Sequence, residues 1–217
     1  DGTITEGMVG NVLESYDLLK QLGPGHSVQI TGLSDGSVGL LGEVLGNGSG
    51  TMLIMPHLIT SYPIDAVDAL LLASMINDGF ASLGKKLVPD YFETTKDNDV
   101  TVYMDSIGKG LAVTYPVSQG SFSFEYICKI ATDSDYEGIG IATAILDTVT
   151  IEKEHVAWRA SLSNQGAIDK YSRFINRKNG FMTKSGDYFM FGVGIPEEKK
   201  DDVVKAVTSI SSTLESS

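Results

Sequence analysis

Cysteine is nearly missing from this chain: Cys128 is the one thiol in 217 residues. No internal disulfide can form, so the fold must be held by its core, and the count fits a reducing compartment. Cys128 lies inside an apolar strand pattern and reads as a packed core thiol. Basic residues are also scarce, 16 against 28 acidic ones, for a formal charge of -12. So negative a chain argues against a nucleic-acid partner, because phosphate binding is driven by counterion release from a basic face. No apolar run approaches the length of a bilayer, which excludes a helical membrane span. His26, His57 and His155 are scattered, so Cys128 has no evident imidazole partner and no metal-ligand spacing is formed. The first residues show no secretory-signal pattern, and Asp1 falls within what reads as a continuing element. The chain is therefore expected to be part of a longer polypeptide, with any targeting segment upstream.

What is present is globular in proportion: 42% hydrophobic and 20% charged residues, in a chain long enough to bury a large core. The basic residues are unevenly placed. Lys170, Arg173, Arg177 and Lys178 fall close together, as an anion site or as a solvated helix face. The pattern opens with a helix over 12–22 and a strand at 27–31. Glycine-rich residues 33–64 hold a candidate helix at 38–45 and a strand at 51–55. Val67, Leu71, Leu72, Met75 and Ile76 recur at helical spacing, which predicts a helix over 65–83. Strands at 100–104, 111–115 and 122–132, separated by turns at 106–110 and 116–120, read as an antiparallel series. A helix at 139–153, a strand at 156–162, a helix at 165–177 and a strand at 188–193 follow. A last helix is expected from Pro196, with Glu197 and Glu198 at its positive end and Val203, Val207, Ile210 and Leu214 on one stripe. Strands first, then β-α-β-α-β, predicts an α+β fold with a mixed, mostly antiparallel sheet flanked by helices.

Chemistry enters where the strand 122–132 passes into Gly138-Ile139-Gly140-Ile141-Ala142-Thr143 at a helix start. Glycines let the backbone approach a ligand, and the free N–H groups of a helix start attract a pyrophosphate. Two readings of this turn stand, a phosphate cradle and a turn with packing glycines. The dinucleotide motif is not met, since Thr143 occupies the place of its third glycine.

Strand, G-x-G-x-A helix, strand, then Asn164, Ala167, Tyr171 and Gly180-Phe181 resembles the order of the GNAT acyl-CoA N-acetyltransferases. A narrower likeness covers nearly the whole chain. Leu41-Gly42-Glu43-Val44-Leu45 with Gly50-Thr51-Met52-Leu53-Ile54, Tyr126-Ile127-Cys128-Lys129-Ile130, and Trp158-Arg159-Ala160-Ser161 with Asn164 are similar to stretches of one family. That family is the C-terminal acetyltransferase domain of N-acetylglutamate synthases of the fungal and vertebrate type. Gly2-Thr3-Ile4-Thr5-Glu6-Gly7-Met8 resembles the last turn of the amino-acid kinase domain that precedes it there. Asn11 replaces the lysine that kinases use on ATP, so that upstream domain is not expected to phosphorylate. The resemblance implies a kinase-like remnant and linker over 1–32 and a GNAT domain over 33–217.

The same resemblance implies transfer of acetyl from acetyl-CoA to the amine of L-glutamate, giving N-acetylglutamate for arginine biosynthesis in the mitochondrial matrix, with no metal. Coenzyme binding is then expected at Ile130, Ala131, Gly138, Ile139, Gly140, Ile141, Ala142 and Thr143. Arg173 of the basic cluster would meet the 3′-phosphate, while Asp135 stands where the family has Arg or Gln. Lys129, Arg159 and Ser161 are expected on the substrate, Arg159 because its planar fork matches a carboxylate. Ser161 stands where the family has a second arginine. Strict alternation puts Glu125, Ile127, Lys129 and Ala131 on one face, so Lys129 is either an ion-pair partner of Glu125 or a carboxylate holder. Asn164, Tyr171 and Glu125 are the catalytic candidates. Tyr171 would protonate the leaving thiolate or else simply pack on the sheet; Glu125 or an ordered water would take the amine proton. Backbone N–H near Ile130 would stabilise the oxyanion. The implied partners are the upstream kinase-like domain, an N-acetylglutamate kinase and further copies of the chain in a homo-oligomer. Two other functions stay open: a non-catalytic regulatory or stabilising domain of the same fold in an N-acetylglutamate kinase, and a GNAT enzyme for another amine.

Overall fold

The computed structural model describes residues 6–23, 26–30, 51–54, 57–95 and 99–216, which divide into two compact units, 1–58 and 59–217. In the first, α1 (Glu6–Leu22) starts earlier than the sequence pattern indicates. It buries Leu19 and exposes Val9, Leu13, Tyr16, Leu18 and Leu22. β1 (Ser27–Ile30) pairs antiparallel with β2 (Thr51–Ile54). The helix expected at 38–45, the motif at 41–45 and the boundary at 32/33 lie outside the described residues.

The second unit begins with β3 (Ile59–Pro63) and α2 (Ala69–Phe80). Asp68 starts α2 by accepting from the N–H groups of Leu70 and Leu71 at 2.8 and 3.0 Å, which satisfies donors that have no intrahelical partner. Leu72 and Ile76, one turn apart, are its buried side chains. β4 (Lys85–Leu87) and the short α3 (Tyr91–Thr95) follow, then β5 (Thr101–Asp105), β6 (Gly110–Gln119) and β7 (Phe122–Thr132). β6 continues through the turn expected at 116–120, with Pro116 opposite Glu125. Pro116 is tolerated because β5 ends its pairing at Thr114, which leaves β6 an edge on that side.

α4 (Ile141–Glu152), β8 (Val156–Ser161), α5 (Gln165–Lys178), β9 (Phe181–Ser185) and β10 (Tyr188–Val193) complete the main body. α6 (Lys200–Ser209) and β11 (Leu214–Ser216) end it. The final helix is shorter than expected: a 3-10 turn over Glu197–Lys199 precedes it, and it stops at Ser209. Leu214, expected on its stripe, instead lies in β11 opposite Leu87 of β4.

Seven strands form one sheet in the order β3-β5-β6-β7-β8-β10-β9. Every pair is antiparallel except β7 with β8. Helices cover both faces. α4 and α5 pack Ile145, Leu146, Ile168 and Phe174 around Trp158 and Phe191 on one side. On the other, α2 covers Leu111 and Val113, and α6 sets Val203 and Val207 against Phe124 and Met190. Each such large side chain, fully buried, contributes about 1.5–3 kcal/mol of transfer free energy.

One irregularity in this sheet positions the site. The β6–β7 register slips between Val113 and Thr114: Val113 faces Lys129 and Thr114 faces Ile127, which leaves Cys128 as the extra residue of a β-bulge. Ile127 and Ile130 therefore face the same core, three residues apart rather than two, while Ala131 joins Cys128 on the α2 side. This corrects the strict alternation. Lys129 does not share a face with Glu125, and Ala131 does not share one with Ile127.

Candidate active site

β7 and β8 pair only from Glu125–Val156 to Ile127–Trp158. Beyond that point Lys129–Thr132 keep their ladder to β6, and Arg159–Ser161 keep theirs to β10. A bulge bends its strand and increases the local twist, and the two strands part just where Cys128 is inserted. The wedge opens into a cavity of about 280 Å³ lined by Ile127–Ile130 of β7, Arg159–Ser161 of β8, and Asn164, Ala167 and Tyr171 at the start of α5. Among the described residues its lining includes the cations Lys85, Lys129 and Arg159 and no carboxylate.

Lys129 is 5% exposed. Its ammonium donates to the Cys128 carbonyl at 3.2 Å and to the Thr213 hydroxyl, and it lies 5.4 Å from the centre of the Tyr91 ring. Burial lowers its pKa from the ordinary lysine value; nearby Cys128 opposes that shift and Arg159 adds to it. The Cys128 thiol is itself pushed up by burial, although Lys129 works against this, and it meets the Tyr91 hydroxyl at 3.4 Å. Tyr115, also in the lining, is raised to about 12, again chiefly by burial. Arg159 projects from β8 over the Tyr188 ring, 4.5 Å from its centroid, and donates to the carbonyls of Val207 at 2.8 Å and Ser211 at 3.4 Å.

Tyr171 faces the cavity from α5 with its ring edge-on to Trp158 and Phe191, at centroid distances of 5.8 and 5.4 Å. Burial holds its phenol well above the usual tyrosine range. Asn164 caps α5: its side-chain oxygen accepts from the Ala167 N–H at 3.1 Å. Ser161 also lines the cavity, its hydroxyl paired with that of Ser163 at 2.8 Å.

Glu125 stands apart from the other catalytic candidates. It sits outside the cavity, on the stretch where β7 and β8 are still paired, and there its carboxylate accepts from the Thr114 hydroxyl and lies 3.5 Å from the Lys153 ammonium. The ion pair considered between Glu125 and Lys129 does not form either, because the bulge sends the two side chains to opposite faces.

The glycine turn forms a second concavity of about 410 Å³. Gly138 and Gly140 have φ of +85° and +98°, a region L side chains rarely adopt. Gly140 begins α4 without any side-chain cap, so the first N–H groups of the helix point outward. Gly138, Gly140, Ile141, Ala142 and Thr143 line one wall, and Lys170, Arg173 and Arg177 of α5 the other. Lys178 is turned away from it, ion-paired to Asp147 at 2.7 Å. The basic cluster and the glycine turn are thus brought together from separate helices. Ala131 and Ile139 line neither cavity: Ala131 is buried beneath α2, and Ile139 packs on the α4–α5 core.

Residues that sequence reasoning passed over make up the far wall of the first cavity. Tyr91 of α3, Lys85 of β4 and the segment 210–214 after α6 all line it. Only the cost of burying Lys129 without a partner could have pointed toward them.

A seven-stranded mixed sheet splayed at its one parallel pair, with a glycine turn opening the next helix, defines a GNAT-type N-acetyltransferase domain. The model of the N-acetyltransferase of N-acetylglutamate synthase matches residues 59–213, and the chain belongs to that family. The match begins where the second unit begins. A Xanthomonas campestris pv. campestris protein named acetylglutamate kinase is 29% identical over 171 residues, which is 78% of this chain and 38% of that relative. The chain therefore spans well under half of the relative's length. Among solved structures, the ribosomal-protein-S18-alanine N-acetyltransferase from Escherichia coli is 14% identical at a TM-score of 0.47, over 63% of this chain and 93% of that one. The diaminobutyrate acetyltransferase from Paenibacillus lautus, solved with diaminobutyric acid and coenzyme A, is 16% identical at 0.46, over 64% and 95%.

Proposed function

We propose that this domain acetylates the amine of L-glutamate with acetyl-CoA. The observation that carries the reading is the first cavity: Lys129 and Arg159 converge there, with no carboxylate among the described lining residues, which suits an acceptor that brings its own carboxylates.

The residues present fit the coenzyme. A glycine turn with free helix N–H groups faces a basic wall, as a pyrophosphate and a 3′-phosphate require. The edge of β7 beyond Ile127 has no ladder partner on the β8 side, so its backbone groups are available to a ligand in the wedge. Bound there, acetyl-CoA supplies an acyl thioester. A backbone N–H near Ile130 then stands where the thioester oxygen gains charge. Lys129 and Arg159 hold carboxylate and so orient the amine. Tyr171 keeps its proton at neutral pH and presents it at the wedge, where the departing sulfur needs one. With Glu125 outside the cavity, an ordered water is the base that takes the amine proton.

A second reading, a domain that regulates without turnover, draws on one observation: Lys129 already donates to the tail after α6, and Arg159 to that tail and to the last turn of α6. The further expectations belong with the first proposal: a role in arginine biosynthesis, the mitochondrial matrix, an upstream kinase-like domain or kinase partner, and a homo-oligomer. Coenzyme A release measured over a panel of amino acids is the test. Glutamate should be the preferred acceptor; acetyl-CoA binding without release on any member would favour the second reading.

A further inference from the structure

The cavity has one wall that the seven-stranded sheet and its helices do not provide. Ile210, Ser211, Ser212, Thr213 and Leu214 are consecutive residues, and all five line it. The segment leaves the end of α6, crosses the cavity and docks on β4 at the other side. Each end is tied down. At the α6 end Arg159 donates to the Val207 and Ser211 carbonyls. In the middle Lys129 donates to the Thr213 hydroxyl, and Val88 N–H donates to the Thr213 carbonyl at 3.2 Å. At the β4 end Leu214 pairs with Leu87 and joins the α2 core, and Glu215 lies 3.6 Å from Lys86.

We infer that the strap Ile210–Leu214 is the acceptor-size determinant of this domain: it closes the cavity against peptide and protein N-termini and admits only a small free amino acid. The inference rests on the acceptor reading above and adds what excludes larger amines. The space behind the strap is about 280 Å³, near the bottom of the roughly 300–1,000 Å³ range of small-molecule pockets. That volume has to hold the acyl end of one substrate as well as the acceptor. An extended peptide entering from the strap side would have to displace Thr213 from the buried Lys129 and Ser211 from the half-buried Arg159, and each hydrogen bond taken from a cation there is costly. Exclusion of this kind acts against the wrong acceptor rather than for the right one.

Two variants and two readouts test it. One variant carries Ser211→Gly, Ser212→Gly and Thr213→Gly together, keeping Leu214 and the β11–β4 pairing; the other ends at Ser209. The first readout is the ratio of kcat/KM for L-glutamate to that for a peptide beginning with glutamate. The second is the rate at which a bulky maleimide labels Cys128, the one thiol of the chain, which lines the same cavity. In a folded variant both the labelling rate and relative peptide turnover should rise by about tenfold or more. Labelling and discrimination at wild-type values in the folded triple variant would overturn the inference. If the wild type turns over no amino acid, the glutamate reading fails, and Cys128 labelling still decides the strap.

Discussion

Arg159 closes the last turn of α6 from the neighbouring strand, its Nη1 donating to the carbonyl of Val207 at 2.8 Å. Helix ends leave carbonyls without partners, and a cation there is also favoured by the macrodipole. The same guanidinium faces the cavity. Arg159→Ala should therefore lower the melting temperature and also reduce kcat/KM for glutamate by about one to two decades, the loss of a charge-assisted contact of roughly 1.5–3 kcal/mol. Steady-state kinetics and calorimetry on one variant separate the two. Lowered stability with unchanged kcat/KM would leave Arg159 only its role at the helix end.

Tyr171→Phe keeps the edge-on contacts with Trp158 and Phe191 and removes only the hydroxyl. A proton donor lost from the leaving sulfur should reduce kcat by roughly two to four decades, with acetyl-CoA affinity and melting temperature nearly unchanged. Because burial raises the phenol pKa, the wild-type pH–rate profile should show no alkaline limb from this group below the ordinary tyrosine value. Near-normal turnover in the variant would end the proposed acid role.

Lys129 gives stability a pH dependence whose sign can be worked out. Its folded pKa lies below the ordinary value of 10.5, mainly through burial. Between the folded value and 10.5 the unfolded chain binds more protons than the native one, so stability rises with pH across that window and the penalty is largest below it. Lys129→Met should remove this part of the rise. Denaturant melts of both proteins from pH 7 to 10.5 would show it, and parallel curves would mean that Lys129 titrates alike in both states.

Gly140→Ala tests the turn. A side chain at φ +98° costs about 1–2 kcal/mol through the clash of Cβ with the following carbonyl. The strain disturbs the first N–H groups of α4, so the acetyl-CoA dissociation constant should rise by at least about an order of magnitude. Titration calorimetry gives the answer directly, and wild-type affinity would take the turn out of the coenzyme site.

Legibility in the sequence follows the length and contrast of each pattern. α5 is plain, since Ile168, Tyr171, Phe174 and Ile175 repeat at helical spacing against a polar face. β4 and β11 are three residues each, too short to show any period, and Ser211-Ser212-Thr213 has the composition of an exposed loop. The bulge is hidden for another reason. Tyr126-Ile127-Cys128 and Ile130-Ala131 are apolar on both sides of the strand, so no polar residue marks where the face changes. Arg159 and Lys129 are legible as cations in apolar strands, whereas the carbonyls and hydroxyl that receive their protons are not. Glu125 is misplaced by the same count, because alternation carried past Cys128 pairs it with the wrong end of β7.

The opening between β7 and β8 can be traced to an excess of one residue over what β6 can match. With Cys128 absent, Ile127 and Ile130 would keep their face, Lys129 and Ala131 would keep theirs, and β7 would run straight beside β8. The cavity is in this sense a matter of backbone parity. A one-codon deletion could abolish it while altering no charge and turning no remaining side chain, a loss that a comparison of residue types alone would pass over.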